Sequence, residues 1–199
     1  NEALYSGLAD GLVLLPVPEK FVVSLKPYKI PEDMSELCDN ICYAQKIFLS
    51  RQCTSDLEII IRMIVGYYYP IVTGKRWDEE EALKWGKRVL NLLVQDVYPL
   101  ATHIFKLKGE LLKREYDYLH REPKKEEKIA GIDKLAKYAD LDAIDYLSDV
   151  LKLTRDEVLL TPYNTCLVRF MQAKDKAVFN EKLTEVYKNQ AEKTPKYSK

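Results

Sequence analysis

The sequence predicts a mainly α-helical protein. It reads as a bundle-like helical block over 31–122 and a compact module of short helices over 129–187, with an extended N-terminal arm (1–30) and a basic tail (188–199). Three observations predict this. Apolar residues recur at helical spacing through most of the chain. The S-x-x-E and T-x-x-E pairs Ser55/Glu58 and Thr154/Glu157 mark helix starts, because the hydroxyl and the carboxylate each satisfy a backbone N–H that has no helical partner. Proline and β-branched residues concentrate before residue 32, where Pro16, Pro18, Pro27 and Pro31 leave no room for a long helix.

In that first segment two short apolar runs, including Leu12 and Val13 in one and Phe21 to Val23 in the other, favour extended backbone. They form a small hairpin on the protein's own core or an arm that adds a strand to a neighbour. From Pro31 the spacing of Met34, Leu37, Cys38, Ile41, Ala44, Phe48 and Leu49 predicts one helix with a single buried stripe. The next helix, from Ser55, is apolar almost all round and belongs inside a core, with Gly66 and Pro70 expected to end it. Tyr67, Tyr68 and Tyr69 crowd its last turn. Successive helical residues point about 100° apart, so at least one of the three is expected at the surface.

Asp78 to Glu81 place acidic groups at a helix start. The stripe that follows runs through Leu83, Gly86, Leu90, Leu93, Val94 and Val97, with Trp77 and Trp85 as packing anchors. Pro99 is expected to divide this helix from a longer one reaching His120, with Tyr118 and Leu119 inward. The charged, proline-containing stretch 121–128 is the best domain boundary. Beyond it, Leu141, Ile144, Leu147 and Leu151 give the dry face of a helix, and Asp142, Asp145 and Asp149 its wet face. Thr161 and Pro162 open the last helix.

The residues exclude more functions than they assign. Lys plus Arg and Asp plus Glu are both 31, so no whole-chain field draws the protein to nucleic acid or to an anionic membrane. The run LVLLPVP is too short for a membrane span or a signal-peptide core, and a reducing setting with free thiols is expected for Cys38, Cys42, Cys53 and Cys166. Neither histidine follows the cysteines at a ligand spacing, so no metal is expected. Around Gly74 and Lys75 the earlier glycine and following hydroxyl of a phosphate-binding loop are missing. With two histidines and seven glycines no catalytic constellation, cofactor site or small-molecule site is expected, and an enzyme would need a dispersed site built on His103, Cys166 or the aspartates.

What remains is contact. From Asp133 to Glu157 seven acidic residues stand against four basic, and over 188–199 the lysines Lys188, Lys193, Lys196 and Lys199 stand against Glu192 alone. The tail composition predicts no structure of its own. Ordering it costs roughly 1–2 kcal/mol per residue, so a neighbouring copy or partner subunit is expected to hold it, with the acidic face as a dock. The candidate partner-binding residues are Leu12, Val13, Phe21, Val23, Tyr67, Tyr68, Tyr69, Lys188, Lys193, Lys196 and Tyr197.

Three stretches, 30–50, 67–82 and 130–183, together resemble small helical structural or assembly proteins of tailed bacteriophages and prophages, of the connector-ring or tail-assembly type. The likeness is carried by the opening around Ile30, Pro31, Leu37 and Gln45 and by L-x-x-D-E-V-L-x-x-P-Y from Leu153 to Tyr163. It implies a non-enzymatic role among copies of itself or other particle subunits, in the virion or in the host cytoplasm during assembly. The alternative is an intracellular adaptor that takes a peptide or helix in a groove near Tyr67 to Tyr69.

Overall fold

A computed structural model describes residues 16–23, 26–92 and 94–193. The fold is mainly α. Strands β1 (Phe21–Val23) and β2 (Lys26–Tyr28) precede α1 (Met34–Asn40), α2 (Tyr43–Ser50), α3 (Asp56–Thr73) and α4 (Glu79–Gly86). A 3-10 turn at Val89–Asn91 leads to α5 (Val94–Leu119) and α6 (Lys125–Ile129). A second 3-10 segment, Ile132–Tyr138, then leads to α7 (Ala139–Leu151), α8 (Arg155–Leu159) and α9 (Tyr163–Lys193).

The centre of the molecule is α3. Its N-cap forms as the sequence predicts, with Ser55 Oγ accepting from the Glu58 N–H at 3.2 Å. The Glu58 carboxylate reaches one residue further back than a capping box requires, to the Thr54 N–H at 2.8 Å. Seven consecutive residues, Met63 to Tyr69, are buried. The expectation that one of the three tyrosines reaches the surface is therefore wrong: Tyr67, Tyr68 and Tyr69 are 2%, 0% and 2% exposed. The 100° rule forces one outward only when a helix has a wet side, and this one is covered all round. Tyr67 meets Asn40 of α1, Tyr68 meets the hairpin, and Tyr69 packs edge-on against Trp77 and Trp85, both with ring centroids 6.1 Å away.

Nor does α3 stop at Gly66 and Pro70. Pro70 has no N–H to give the Gly66 carbonyl. The buried side chain of Gln45 on α2 supplies the donor instead, its Nε2 lying 2.7 Å from that oxygen. Gly66 permits the approach, since a Cβ there would lie 2.6 Å from Leu49 Cδ2. The helix ends at Gly74, left-handed at φ 69°, whose N–H returns to the Pro70 carbonyl at 2.8 Å. Gly74 has open space around its Cα, so strain alone sets the cost of a side chain. Gly74→Ala is expected to lower stability by about 1 kcal/mol, read as a shifted urea midpoint with an unchanged slope.

The single helix expected from Pro31 to Leu49 is two. Asp33 caps the first by accepting from the Glu36 N–H at 2.9 Å. At Ile41 and Cys42 the backbone turns extended and pairs with the chain entering α9: the Tyr43 N–H donates to the Thr161 carbonyl at 3.0 Å and the Tyr163 N–H to the Ile41 carbonyl at 2.9 Å. Apolar spacing cannot register a partner that lies 120 positions away. This stitch also joins the two expected domains, because Leu147, Val158, Tyr163, Cys166 and Leu167 share one core cluster with residues of α1, α3 and α5.

Three further boundaries differ from expectation. The helix opened by Asp78, which caps the Glu81 N–H at 2.9 Å, ends at Gly86, and Leu83 is exposed. A Cβ on Gly86 would meet Val65 Cγ2 at 2.8 Å, so the end of α4 packs against α3 at a position with no room for a side chain. Pro99 lies inside α5 and does not divide it. The bond that it forgoes is to the carbonyl of Gln95, an exposed residue of the first turns. The last helix, α9, is 31 residues long and not short.

At the N-terminal end β1 and β2 form an antiparallel hairpin with Phe21 opposite Tyr28 and Val23 opposite Lys26. Phe21 and Val23 are buried in the chain's own core, which corrects their assignment as partner-binding residues. Leu12 and Val13 lie outside the described residues, as do Lys196 and Tyr197.

Candidate functional site

Among the described residues no cluster of histidine, cysteine or carboxylate side chains is arranged to hold a metal ion. All four cysteines are free thiols. Burial pushes Cys38 and Cys166 up to about 11, so the nucleophilic thiolate is disfavoured at neutral pH. His103 Nε2 lies 2.7 Å from the Pro31 carbonyl and ties α5 to the start of α1. His120 stacks on Tyr116 with centroids 4.3 Å apart. Among the described residues no helix is long and apolar enough to cross a membrane.

One ion pair is withdrawn from water. Lys46 Nζ and Glu115 Oε2 stand 2.9 Å apart, with side-chain exposures of 19% and 13%, and join α2 to α5. Burial, working against the attraction of Lys46, holds the Glu115 carboxyl above the usual carboxylate range. Its Oε1 is buried without a hydrogen-bond partner. A carboxyl raised in the folded state binds its proton more tightly there than in the unfolded chain, so stability falls as pH rises through the folded value. Lys46→Met removes the counter-charge and should deepen this fall, by about 2 kcal/mol between pH 4 and pH 7. Urea midpoints at the two pH values measure it, and adding Glu115→Gln should abolish the difference.

Tyr67 to Tyr69 are buried and offer no exposed wall to the groove expected beside them. A cleft of about 490 Å³ does lie between α2 and α8, lined by Ala44, Ile47, Trp77, Leu159 and Leu160. The Arg51–Glu79 ion pair stands at its edge.

The surface that departs furthest from a self-contained globule is the outer half of α9. The inner half packs through Cys166 and Leu167, with Phe170 and Met171 against the core. Three contacts hold its middle to residues 118–124. Tyr118 Oη donates to Asp175 Oδ1 at 2.7 Å, Lys174 Nζ to the His120 carbonyl at 3.1 Å, and Lys124 Nζ pairs with Glu181 at 3.1 Å. Tyr118, expected inward, is thus a surface tether. From Asp175 to Gln190 every residue is exposed except the half-buried Leu183. Phe179 is 63% exposed, Val186 48% and Tyr187 61%. Lys188 and Lys193 lie on this helix and not in a structureless tail. Sequence reasoning missed Phe179, Leu183 and Val186 because it closed the module at Tyr187 and treated its helices as short.

Among the described residues, α6 and the 3-10 segment Ile132–Tyr138 contain no buried residue. Ile129, Leu135, Tyr138 and Leu141 are exposed, which corrects Leu141 as a core position. Leu147 is the one fully buried residue of α7. Its acidic side keeps Asp140, Asp142 and Asp149 at the surface, while Asp145 is taken by Arg155 at 2.6 Å.

No family model, curated protein or solved structure matches the chain. The resemblance to tailed-phage assembly proteins stands on its motifs alone.

Proposed function

We propose that the chain is a non-enzymatic structural or assembly subunit of a bacteriophage particle, a head–tail connector or tail component that works through contacts with neighbouring subunits. The observation that carries this reading is the outer half of α9: a helix whose residues from Asp175 to Gln190 are exposed except for the half-buried Leu183, carrying exposed Phe179, Val186 and Tyr187. Helices without tertiary packing are marginal in water, and exposed apolar patches mark surfaces that meet other molecules. The sequence resemblance supplies the setting. The test is recovery. In gradient fractions from cells producing the particle, an antibody to the chain should find it with particles or assembly intermediates, and deleting the gene should leave incomplete particles under negative stain. Intact particles in normal yield without the chain would overturn the reading.

The cleft beside Trp77 favours a second reading, an adaptor that takes a helix or peptide between α2 and α8. Its volume of about 490 Å³ is of the size that admits side chains, and Ile47 and Leu159 line it together with the charged Arg51, Asp78, Glu79 and Asp156. Under this reading Ile47→Glu abolishes partner binding while removal of residues 176–199 leaves it intact; particle assembly predicts the reverse.

A further inference from the structure

We propose that Lys108 is a modification site of this chain, an amine that takes an acyl group from small activated donors of the acyl-phosphate class. This chemistry does not depend on the subunit reading. Lys108 lies in the inward row of α5, with Ile104 one turn before it and Leu111 one turn after, both buried. It is itself 8% exposed, a setting in which lysine is almost never found unless it is paired.

Among the described residues no carboxylate pairs with it. Glu115, two turns further along α5, is taken by Lys46 at 2.9 Å. Glu58 on α3 is spent on Arg62, on the Thr54 N–H at 2.8 Å and on the Thr54 hydroxyl at 3.0 Å. The contact that Lys108 Nζ does make is with its own helix, 4.2 Å from the centre of the Phe105 ring. An aromatic face holds an ammonium more weakly than a carboxylate does.

The charge beside it has the same sign. Lys108 feels the guanidinium of Arg62 on α3, whose own Nε is buried without a hydrogen-bond partner. Burial above all holds the Lys108 ammonium below the ordinary lysine range; Cys53 opposes this and Arg62 adds to it. A lysine that gives up its proton readily is a nucleophile near neutral pH. Access is kept as well. Nζ is not one of the enclosed polar atoms, as Arg62 Nε and Glu115 Oε1 are, and the Phe105 beside it is 39% exposed.

The neutral amine attacks the acyl carbon of the donor. A C–N bond forms as the C–O bond to phosphate breaks, the phosphate leaves with the bonding pair, and the surplus proton of the amine passes to it. The amide left behind carries no charge, so acylation removes the unpaired buried cation that made the site reactive.

Acetyl phosphate is the probe. The folded wild-type chain is treated with a limiting amount across a pH series, and the acetylated fraction at each lysine is read by peptide mass spectrometry. Near neutral pH Lys108 is expected to react roughly 3–10-fold faster than the exposed Lys188, and its rate to level off at a lower pH. Access scales a rate equally at every pH, so the lower midpoint reports the amine itself. In urea the preference should vanish. Lys108→Met supplies an independent reading, because replacing an unpaired buried charge by an apolar side chain of similar length should raise the urea midpoint. Acetylation of Lys108 that is slower than that of Lys188, with the same pH midpoint, overturns the proposal, since a shielded and fully protonated amine behaves in that way. A lowered urea midpoint in Lys108→Met overturns it too, because it would reveal a counter-charge that holds the ammonium in place.

Discussion

Tyr68→Ala is expected to destabilise the protein by about 3–5 kcal/mol, the range for removing a buried aromatic side chain. For a chain of this size that corresponds to a melting temperature lower by roughly 6–20 °C. The residue is 0% exposed. Its ring lies 4.4 Å from that of Phe21 and 4.8 Å from that of Tyr67, and its hydroxyl donates to the Lys29 carbonyl at 3.1 Å. It thus holds the β1–β2 hairpin to α3. A two-stranded sheet is marginal by itself, so the loss should appear first as faster amide exchange across the Phe21–Tyr28 pair. Tyr68→Phe isolates the hydrogen bond and should cost about 1 kcal/mol. Unchanged protection of the hairpin in the alanine variant would show that other contacts hold it.

The same tyrosine shows what the sequence could and could not convey. Helix starts were legible because capping is local: Ser55, Asp78 and Thr154 each cap where their sequences predict, and α8 begins at Arg155. Burial was not, because it depends on what covers a helix. The tyrosines follow from the hairpin, α1 and two tryptophans converging on α3. The break at Ile41 and Cys42 follows from a backbone pairing with Thr161 and Tyr163. For α9 a local signal did exist: between Pro162 and Pro195 the sequence has neither glycine nor proline. Its outer half lacks a long regular apolar stripe, however, and the mixed charge there reads equally well as a tail. The candidate surface was half legible. Its lysines and the acidic side of α7 stood out by charge. Phe179, Leu183, Leu135 and Tyr138 did not, because an exposed apolar residue and a buried one are the same letter.

The passage of α3 through Pro70 gives a sharper test, because it turns on one oxygen atom. In an unbroken helix the Gly66 carbonyl would accept from residue 70, and proline has no N–H. Gln45, 3% exposed, spans the gap with both ends of its amide: Nε2 donates to the Gly66 carbonyl at 2.7 Å, and Oε1 accepts from the Cys42 N–H at 3.0 Å, where α2 begins. Gln45→Leu keeps the volume and removes both bonds. Each buried or half-buried backbone group left without a partner costs about 1–3 kcal/mol, so the variant should lose about 2–5 kcal/mol. Pro70→Ala supplies the missing N–H from within the helix. In the wild type that donor meets a carbonyl already satisfied, whereas in the Gln45→Leu background it repairs one of the two vacancies. The stabilising effect of Pro70→Ala should therefore be larger in the leucine background by about 1–2 kcal/mol, measured as the coupling in a double-mutant cycle of urea midpoints. Strict additivity would mean that Gln45 does not stand in for the proline's absent donor, and the continuity of α3 would then need another cause.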